Sequence, residues 1–446
     1  MLKRAVVIGG NAAGLSVASQ VKRRKPEWEV VVFEKGDYIS YGACGLPYYV
    51  EGLVPQVDNL ITLTPEDAIH KRQLDLRMGY NVTDLYPREN RIEVETPEGE
   101  ESWGYDYLAV CTGASATLRG IKVQGSRGIF TINEMGDALK IDQYFQENSP
   151  QSVAVIGGGF IAVEMAEAFL HRGLETHLIH RRENLAKSLE PELSSSLLEK
   201  MEQQGVVLKM EHPVERLEET SSGVAVNTEK GTFVYDMVLV ATGVAPNTSI
   251  LEKTGIELGV NGAVATDPCM RTNYENIYAA GDCTQALNLL TRDPVFVPLA
   301  LKANREGFVA GSNMGGGKEE FPGVLETGIT KFFEWGVART GLTLEGAEKA
   351  GYQAHKTEVT TGSRAHYYPG SGRMQTFLVV DRSSKKLLGA QLFGPWDAVK
   401  RIDVYVAAIT AGMTVEEIFN LDLAYAPPYS PVYDPIITAA RIARKG

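Results

Sequence analysis

Two short apolar runs, each ending in glycines, stand out along the chain: Ala5-Val-Val-Ile-Gly-Gly10 and Val153-Ala-Val-Ile-Gly-Gly-Gly159. Continuous rather than alternating apolar residues predict strands buried on both faces, as in a parallel sheet. Each run leads into small residues and then a helical pattern. A second pair of runs echoes the first, Asp106-Tyr-Leu-Ala-Val-Cys-Thr-Gly113 against Asp236-Met-Val-Leu-Val-Ala-Thr-Gly243. The repeat predicts two copies of one nucleotide-binding architecture. After Gly243 the character changes. Asn276-Ile-Tyr-Ala-Ala-Gly-Asp282 is another strand running into a turn. From about Leu325 the pattern alternates, as in Met374-Gln-Thr-Phe-Leu-Val-Val-Asp381, with a helix predicted over Val399 to Gly412. An α+β unit of about 120 residues is expected there. Gly315-Gly-Gly-Lys318 before it reads as a flexible connection.

Composition narrows the function. The 446 residues include 44 basic and 56 acidic ones, a net charge of −12. That balance speaks against a nucleic-acid backbone or an anionic membrane as partner. No apolar stretch reaches the 18 residues of a membrane span. The first apolar run is cut by Gly9, Gly10 and Gly14, which suits a tight turn and not a signal peptide. The four cysteines, Cys44, Cys111, Cys269 and Cys283, have no CxxC, zinc-site or secreted disulfide spacing. A reduced, soluble, cytoplasmic protein without a metal is expected.

Gly9-Gly-Asn11-Ala-Ala-Gly14 has the GxGxxG frame with Asn11 at the middle glycine. Such a turn lets a pyrophosphate approach the backbone and rest on a helix N-terminus. Glu34 closes the strand Val30-Val-Val-Phe33, where a carboxylate accepts hydrogen bonds from a ribose. The second turn is GxGxxA, with Gly157, Gly159 and Ala162, followed by Glu164. Its second strand ends in Leu178-Ile-His180-Arg181-Arg182, which places cations where the ribose edge belongs. Arginines there suit a 2′-phosphate and favour NADP over NAD. Two dinucleotide sites imply FAD together with a nicotinamide cofactor.

Ser40-Tyr-Gly-Ala-Cys44-Gly-Leu-Pro-Tyr-Tyr49 follows the Glu34 strand, so Cys44 is expected beside the first dinucleotide. At a helix N-terminus its thiolate is stabilised. Here the chain resembles the flavoprotein disulfide reductases, most closely the single-cysteine coenzyme A disulfide reductases. The residues that carry the resemblance are Ser40-x-x-x-Cys44, Gly9 to Gly14, Gly157 to Glu164, Gly281-Asp282 and Tyr425-Ala-Pro-Pro-Tyr429. The two-cysteine branch has a second cysteine five residues away. Ile39 and Tyr49 stand at those distances here, and neither forms a disulfide.

The resemblance implies an α/β fold with two Rossmann-like domains, FAD-binding (1–117 and 246–324) and NAD(P)-binding (118–245), and a C-terminal α+β dimerisation domain (325–446). It implies that Gly281 and Asp282 hold the ribityl chain and that Thr112, Gly113 and Ala114 close over the same cofactor. Lys35, Ala300 and Gly243 join the cofactor set. Ser16, Gln20, Arg23, Ser40 and Arg72 match coenzyme A contacts, and Lys22 belongs to the basic run Lys22-Arg-Arg-Lys25 suited to a phosphorylated adenosine. Tyr367 and Tyr425 match tyrosines that the partner subunit of a homodimer places over the redox cysteine, with Tyr368 and Tyr429 as rivals. Two departures stand out. Ala12 replaces the histidine of oxygen- and peroxide-reducing relatives, and Ala43 replaces a polar substrate contact. No rhodanese-like extension is expected after Tyr433.

The leading expectation is an NAD(P)H-dependent reductase of coenzyme A disulfide, or of a coenzyme A persulfide or polysulfide, acting through Cys44. An NADH oxidase or peroxidase cycling a cysteine sulfenic acid is one alternative. A flavin-bound redox sensor without turnover is the other.

Overall fold

A computed structural model describes residues 3–445. The first sheet has five parallel strands in the spatial order Ile277–Ala279, Tyr107–Val110, Arg4–Ile8, Glu29–Glu34, Asp75–Met78. The second repeats the plan with Ile129–Phe130, Met237–Val240, Ser152–Ile156, Glu175–Ile179, Val207–Lys209. In both, the strand before the glycine turn is the central one, and the next two strands lie on one side and a later one on the other. The outermost strand on that other side comes last in the first sheet and first in the second. The crevice at the end of such a central strand is where ligands bind in open parallel sheets. The predicted repeat is therefore a repeat of topology.

Helix α1 (Ala12–Arg24) follows the first glycine turn. A Cβ on Gly14 would lie 1.8 Å from the Gly9 carbonyl oxygen, so only glycine lets the helix begin this close to the strand. Helix α2 (Leu46–Glu51) is a short helix entered through a 3-10 turn, Ala43–Gly45. Helix α3 (Phe160–His171) follows the second glycine turn, and helix α4 (Ala300–Met314) follows the Gly281–Asp282 turn. Helix α4 crosses α1 through Gly307 and Gly311, where a Cβ would sit 2.5 Å from the Ala13 carbonyl oxygen and 2.4 Å from that of Val17.

Gly315 to Gly317 differ from the expected flexible connection. They close α4, with the Gly317 N–H donating to the Ser312 carbonyl at 2.8 Å, and they pack on the Arg24 side chain.

The chain passes between the two parallel sheets twice. The two passages pair as an antiparallel ladder of Ala114–Ala116 with Val244–Pro246. The third unit is an antiparallel sheet in the order Gly328–Phe332, Trp335–Gly341, Leu387–Pro395, Arg373–Asp381, Ala354–Gly362. Helices Ile402–Thr410 and Pro435–Ala443 bury their apolar faces on it. It docks onto the second parallel unit through polar pairs. Thr330 donates to Glu164 at 2.7 Å, Lys331 bonds Glu167, and Lys356 bonds Glu190 at 3.0 Å. Among the described residues no helix is long and apolar enough to cross a membrane.

Candidate active site

One cleft of about 1560 Å³ runs past both glycine turns and reaches Cys44. At its first end Glu34 accepts the Gly10 N–H at 2.7 Å and the Gly36 N–H at 2.8 Å, which fixes the carboxylate on the wall. Lys35 lies beside it, 3.9 Å from Glu134. Asn11 caps α1 by position, yet its Oδ1 is buried with no partner in the protein. Asp282 Oδ1 on the same cleft is also buried and unpartnered. A buried polar atom without a partner is costly. Two of them facing one cleft, beside glycine turns and the uncapped start of α4 at Ala300, fit a long polar ligand such as FAD.

Thr112, Gly113 and Ala114 line the same stretch. Thr112 donates to the Asn247 carbonyl at 2.6 Å, the Asn247 side chain returns a bond to the Thr112 carbonyl at 3.0 Å, and the Asn247 N–H donates to that of Gly113 at 3.0 Å. Asn247 carries no motif of its own, and its spacing from Thr112 gave no signal in the sequence.

At the second turn a Cβ on Gly159 would meet nothing within 4 Å, so the backbone N-terminal to α3 lies open to the cleft. Ala162 is fully buried and lets α3 pack on its strand. Gly243 lines the cleft, and its carbonyl accepts the Thr117 N–H at 2.9 Å. Arg181 and Arg182 line the cleft beyond the strand end, as expected. His180 does not act as a third cation. Its ring stacks over Gly158, and burial, then Arg182 and Arg181, push its pKa below the ordinary value. The imidazole is neutral near pH 7, so the two arginines supply the positive charge.

Cys44 is exposed in the 3-10 turn before α2 and lines the cleft midway between the two turns. The expected thiolate stabilisation is not supplied by the chain. Though Cys44 is exposed to the cleft, its thiol is partly desolvated by the surrounding walls. This, then the carboxylates of Glu164 and Asp282, pushes its pKa above the ordinary value. Helix α2 has six residues, too short to offset two nearby carboxylates. Glu164, half-buried and bonded to Thr330, is itself held up mainly by desolvation. We expect Glu164→Gln to lower the Cys44 pKa. Removing a negative charge favours the thiolate, so iodoacetamide should alkylate the reduced variant faster than the parent at every pH below the Cys44 pKa. An unchanged alkylation profile would rule out Glu164 as an influence on Cys44.

The residues assigned to coenzyme A fall outside this cleft, except Ser40. Ser40 stands at φ +44 and faces Thr62 at 2.8 Å. Ser16 donates to the Asn304 carbonyl at 3.1 Å, and Arg72 donates to Ser19 at 2.8 Å. With Gln20 and Arg23 they form a strip along α1. Lys22 does not belong to it. Its ammonium turns back to the Trp28 carbonyl at 2.9 Å and closes the turn after α1. Tyr367 and Tyr425 are neighbours exposed on the third unit, outside the cleft that Cys44 of their own subunit lines.

Residues 3–307 match the pyridine nucleotide-disulphide oxidoreductase family, and residues 327–435 match the dimerisation domain of the same family. The chain belongs to this family. It is an oxidoreductase whose relatives use a flavin and a nicotinamide dinucleotide, and its third unit is the dimerisation domain. It is 40% identical over 445 residues to an NAD(P)H coenzyme A polysulfide/persulfide reductase of Pyrococcus horikoshii, covering 100% of this chain and 99% of that one. A coenzyme A disulfide reductase of Staphylococcus aureus is 30% identical over 433 residues, covering 96% of this chain and 97% of that one. A solved NAD-dependent persulfide reductase from A. fulgidus superposes with a TM-score of 0.96 at 36% identity, covering 99% of this chain and 83% of that one. The expected α/β architecture with two dinucleotide-binding units and a dimerisation domain thus holds.

Proposed function

We propose that this enzyme is an NAD(P)H-dependent reductase of coenzyme A disulfide or of a coenzyme A persulfide, working through Cys44 in a homodimer. The observation that carries the reading is the placement of Cys44. It is the one exposed cysteine among the described residues, and it opens on a cleft that joins both glycine turns. Cys111 and Cys283 are buried, and Cys269 does not line the cleft. Cys111 also lines the cleft but is buried, so among the described residues a dithiol mechanism has no second accessible sulfur.

FAD, when bound, supplies two-electron transfer between a nicotinamide and sulfur. Glu34, Asn11, Asp282 and the N–H groups at the start of α1 would hold it. The Cys44 thiolate attacks one sulfur of the disulfide, forms a mixed disulfide and expels one thiolate, which takes up a proton. Two-electron reduction of that bond returns the Cys44 thiolate and releases the second thiol. A persulfide would follow the same course with hydrosulfide as the leaving group. The strip of Ser16, Gln20, Arg23 and Arg72 would take the phosphorylated adenosine of coenzyme A. Ala12 on the cleft wall carries no ionisable group, which weighs against assisted proton delivery to oxygen or peroxide.

Anaerobic titration with NADPH or NADH, followed by coenzyme A disulfide, tests the reading. Repeated reoxidation of the flavin with release of two thiols per disulfide is expected. A single reoxidation without turnover would instead indicate the sensor, and turnover with oxygen alone would indicate the oxidase.

NADPH is the expected donor. Replacing Arg181 and Arg182 with alanine should raise the KM for NADPH roughly tenfold and leave that for NADH within about twofold, the discount from a full charge-assisted bond reflecting solvent exposure. Steady-state kinetics with both donors decides it. Equal changes would show that the arginines do not contact the 2′-phosphate.

A further inference from the structure

Beneath the Gly281–Asp282 turn, α4 carries an ion pair that no sequence motif announces. Lys302 and Glu306 stand 3.0 Å apart with side-chain exposures of 1% and 0%. Burying two charges costs more than packing two apolar side chains in their place, so a pair this deep needs another reason. Its bonds supply one. Glu306 Oε2 accepts the Gly281 N–H at 2.9 Å, and Lys302 Nζ donates to the Gly281 carbonyl at 2.8 Å. Thr284 completes the knot, its Oγ1 lying 2.7 Å from Glu306 and 2.9 Å from Lys302. Both polar groups of Gly281 are thus held by one turn of α4. Gly281 needs holding, because its φ of +94° is left-handed and a Cβ there would meet Ala13 at 2.8 Å. The next residue is Asp282, whose unpartnered Oδ1 lies on the cleft wall.

We propose that the Lys302–Glu306 pair is a positioning device for the flavin, fixing the turn that presents Asp282 and keeping the charge beneath the cofactor balanced. The inference rests on the flavin-binding reading above. The balance matters because solvent does not screen charges in the interior as it does at the surface. Losing Glu306 removes the carboxylate bonded to the Lys302 ammonium and leaves only Asp282 to balance it. A reduced flavin carries more negative charge than an oxidised one, so the less compensated ammonium favours the reduced form. Losing both charges restores the parent's net charge while leaving the Gly281 peptide unpinned.

The test uses Glu306→Gln, which keeps the shape of the side chain, and the double variant Lys302→Met/Glu306→Gln. FAD affinity is measured by reconstituting flavin-stripped protein, and the flavin reduction potential by equilibration with a reference dye. Thermal unfolding is followed in parallel. Glu306→Gln is expected to bind FAD at least tenfold more weakly and to favour reduced over oxidised flavin by about tenfold, a rise of about 30 mV for a two-electron couple. The double variant should return to the parent potential but not to the parent affinity. A potential that stays put or falls in Glu306→Gln, with only the unfolding temperature lowered, would overturn the proposal and leave the pair a packing element. A parent protein that binds no FAD at all would overturn the flavin reading itself.

Discussion

Cys44→Ser is expected to hold flavin and accept electrons from the nicotinamide as the parent does, while disulfide turnover falls by at least about 1000-fold. The hydroxyl cannot form the mixed disulfide on which the proposed cycle depends, and an alcohol is far less acidic than a thiol. No other cysteine can stand in. Cys283 is fully buried, with its thiol donating to the Val110 carbonyl at 3.4 Å. Burial pushes Cys111 and Cys283 away from the thiolate, and Cys269 lies off the cleft. Stopped-flow reduction by NADPH isolates the first half of the cycle, and thiol release from coenzyme A disulfide isolates the second. Parent-level thiol release by the variant would remove Cys44 from the mechanism. Loss of flavin reduction as well would mean that the serine had disturbed the cleft.

Both dinucleotide units were legible because central parallel strands must be apolar on both faces and their glycine turns obey local steric demands. Gly9, Gly14 and Gly157 are read correctly for this reason. A Cβ on Gly157 would lie 2.2 Å from the Ala241 carbonyl oxygen. Functional groups that depend on residues remote in sequence were not legible. Asn247 meets Thr112 across the ladder joining the first two units, and Glu164 meets Thr330 from the third. Lys302 and Glu306 are a helix turn apart, but that spacing reads equally as a solvated pair on a surface helix. Gly307 and Gly311 are the missed clue: glycines four apart inside a helix mark a close crossing, and the crossing with α1 carries Lys302 and Glu306 inward. The charge of His180 and the direction of Lys22 were not legible, because residue type gives charge and hydrogen-bonding capacity but not burial or direction. Burial keeps the first neutral, and the Trp28 carbonyl claims the second.

The electrostatics around Cys44 make a proton donor for the leaving thiolate valuable. The carboxylates of Glu164 and Asp282 already raise the Cys44 thiol, and they disfavour a second negative sulfur nearby. In the proposed homodimer, Tyr367 and Tyr425 of the partner subunit are the groups expected to meet that sulfur. Their loops are held to a common anchor. Arg401 donates to the Ser363 carbonyl at 3.1 Å and to the Tyr429 carbonyl at 2.5 Å, and it pairs with Asp434 at 3.0 Å. The Ala365 N–H bonds the Pro427 carbonyl at 3.3 Å, which ties the two loops directly. Tyr367 is 65% exposed and Tyr425 47%, surface that a partner subunit would cover.

The neighbouring Tyr367 side chain, with desolvation second, raises the Tyr425 pKa above its ordinary value. A phenol donates only while protonated, so Tyr425 stays competent through neutral pH and fails on the alkaline side. The variant carrying both Tyr367→Phe and Tyr425→Phe is expected to lose about 100-fold in disulfide turnover, the low end for a positioned general acid, with NADPH reduction of the flavin unchanged. Tyr367→Phe alone should move the alkaline limb of the pH–rate profile to lower pH, because Tyr425 then returns toward its ordinary value. A role in dimer packing alone would lower turnover without shifting that limb. Full turnover in the double variant, or a fully active monomer, would take both tyrosines out of the reaction.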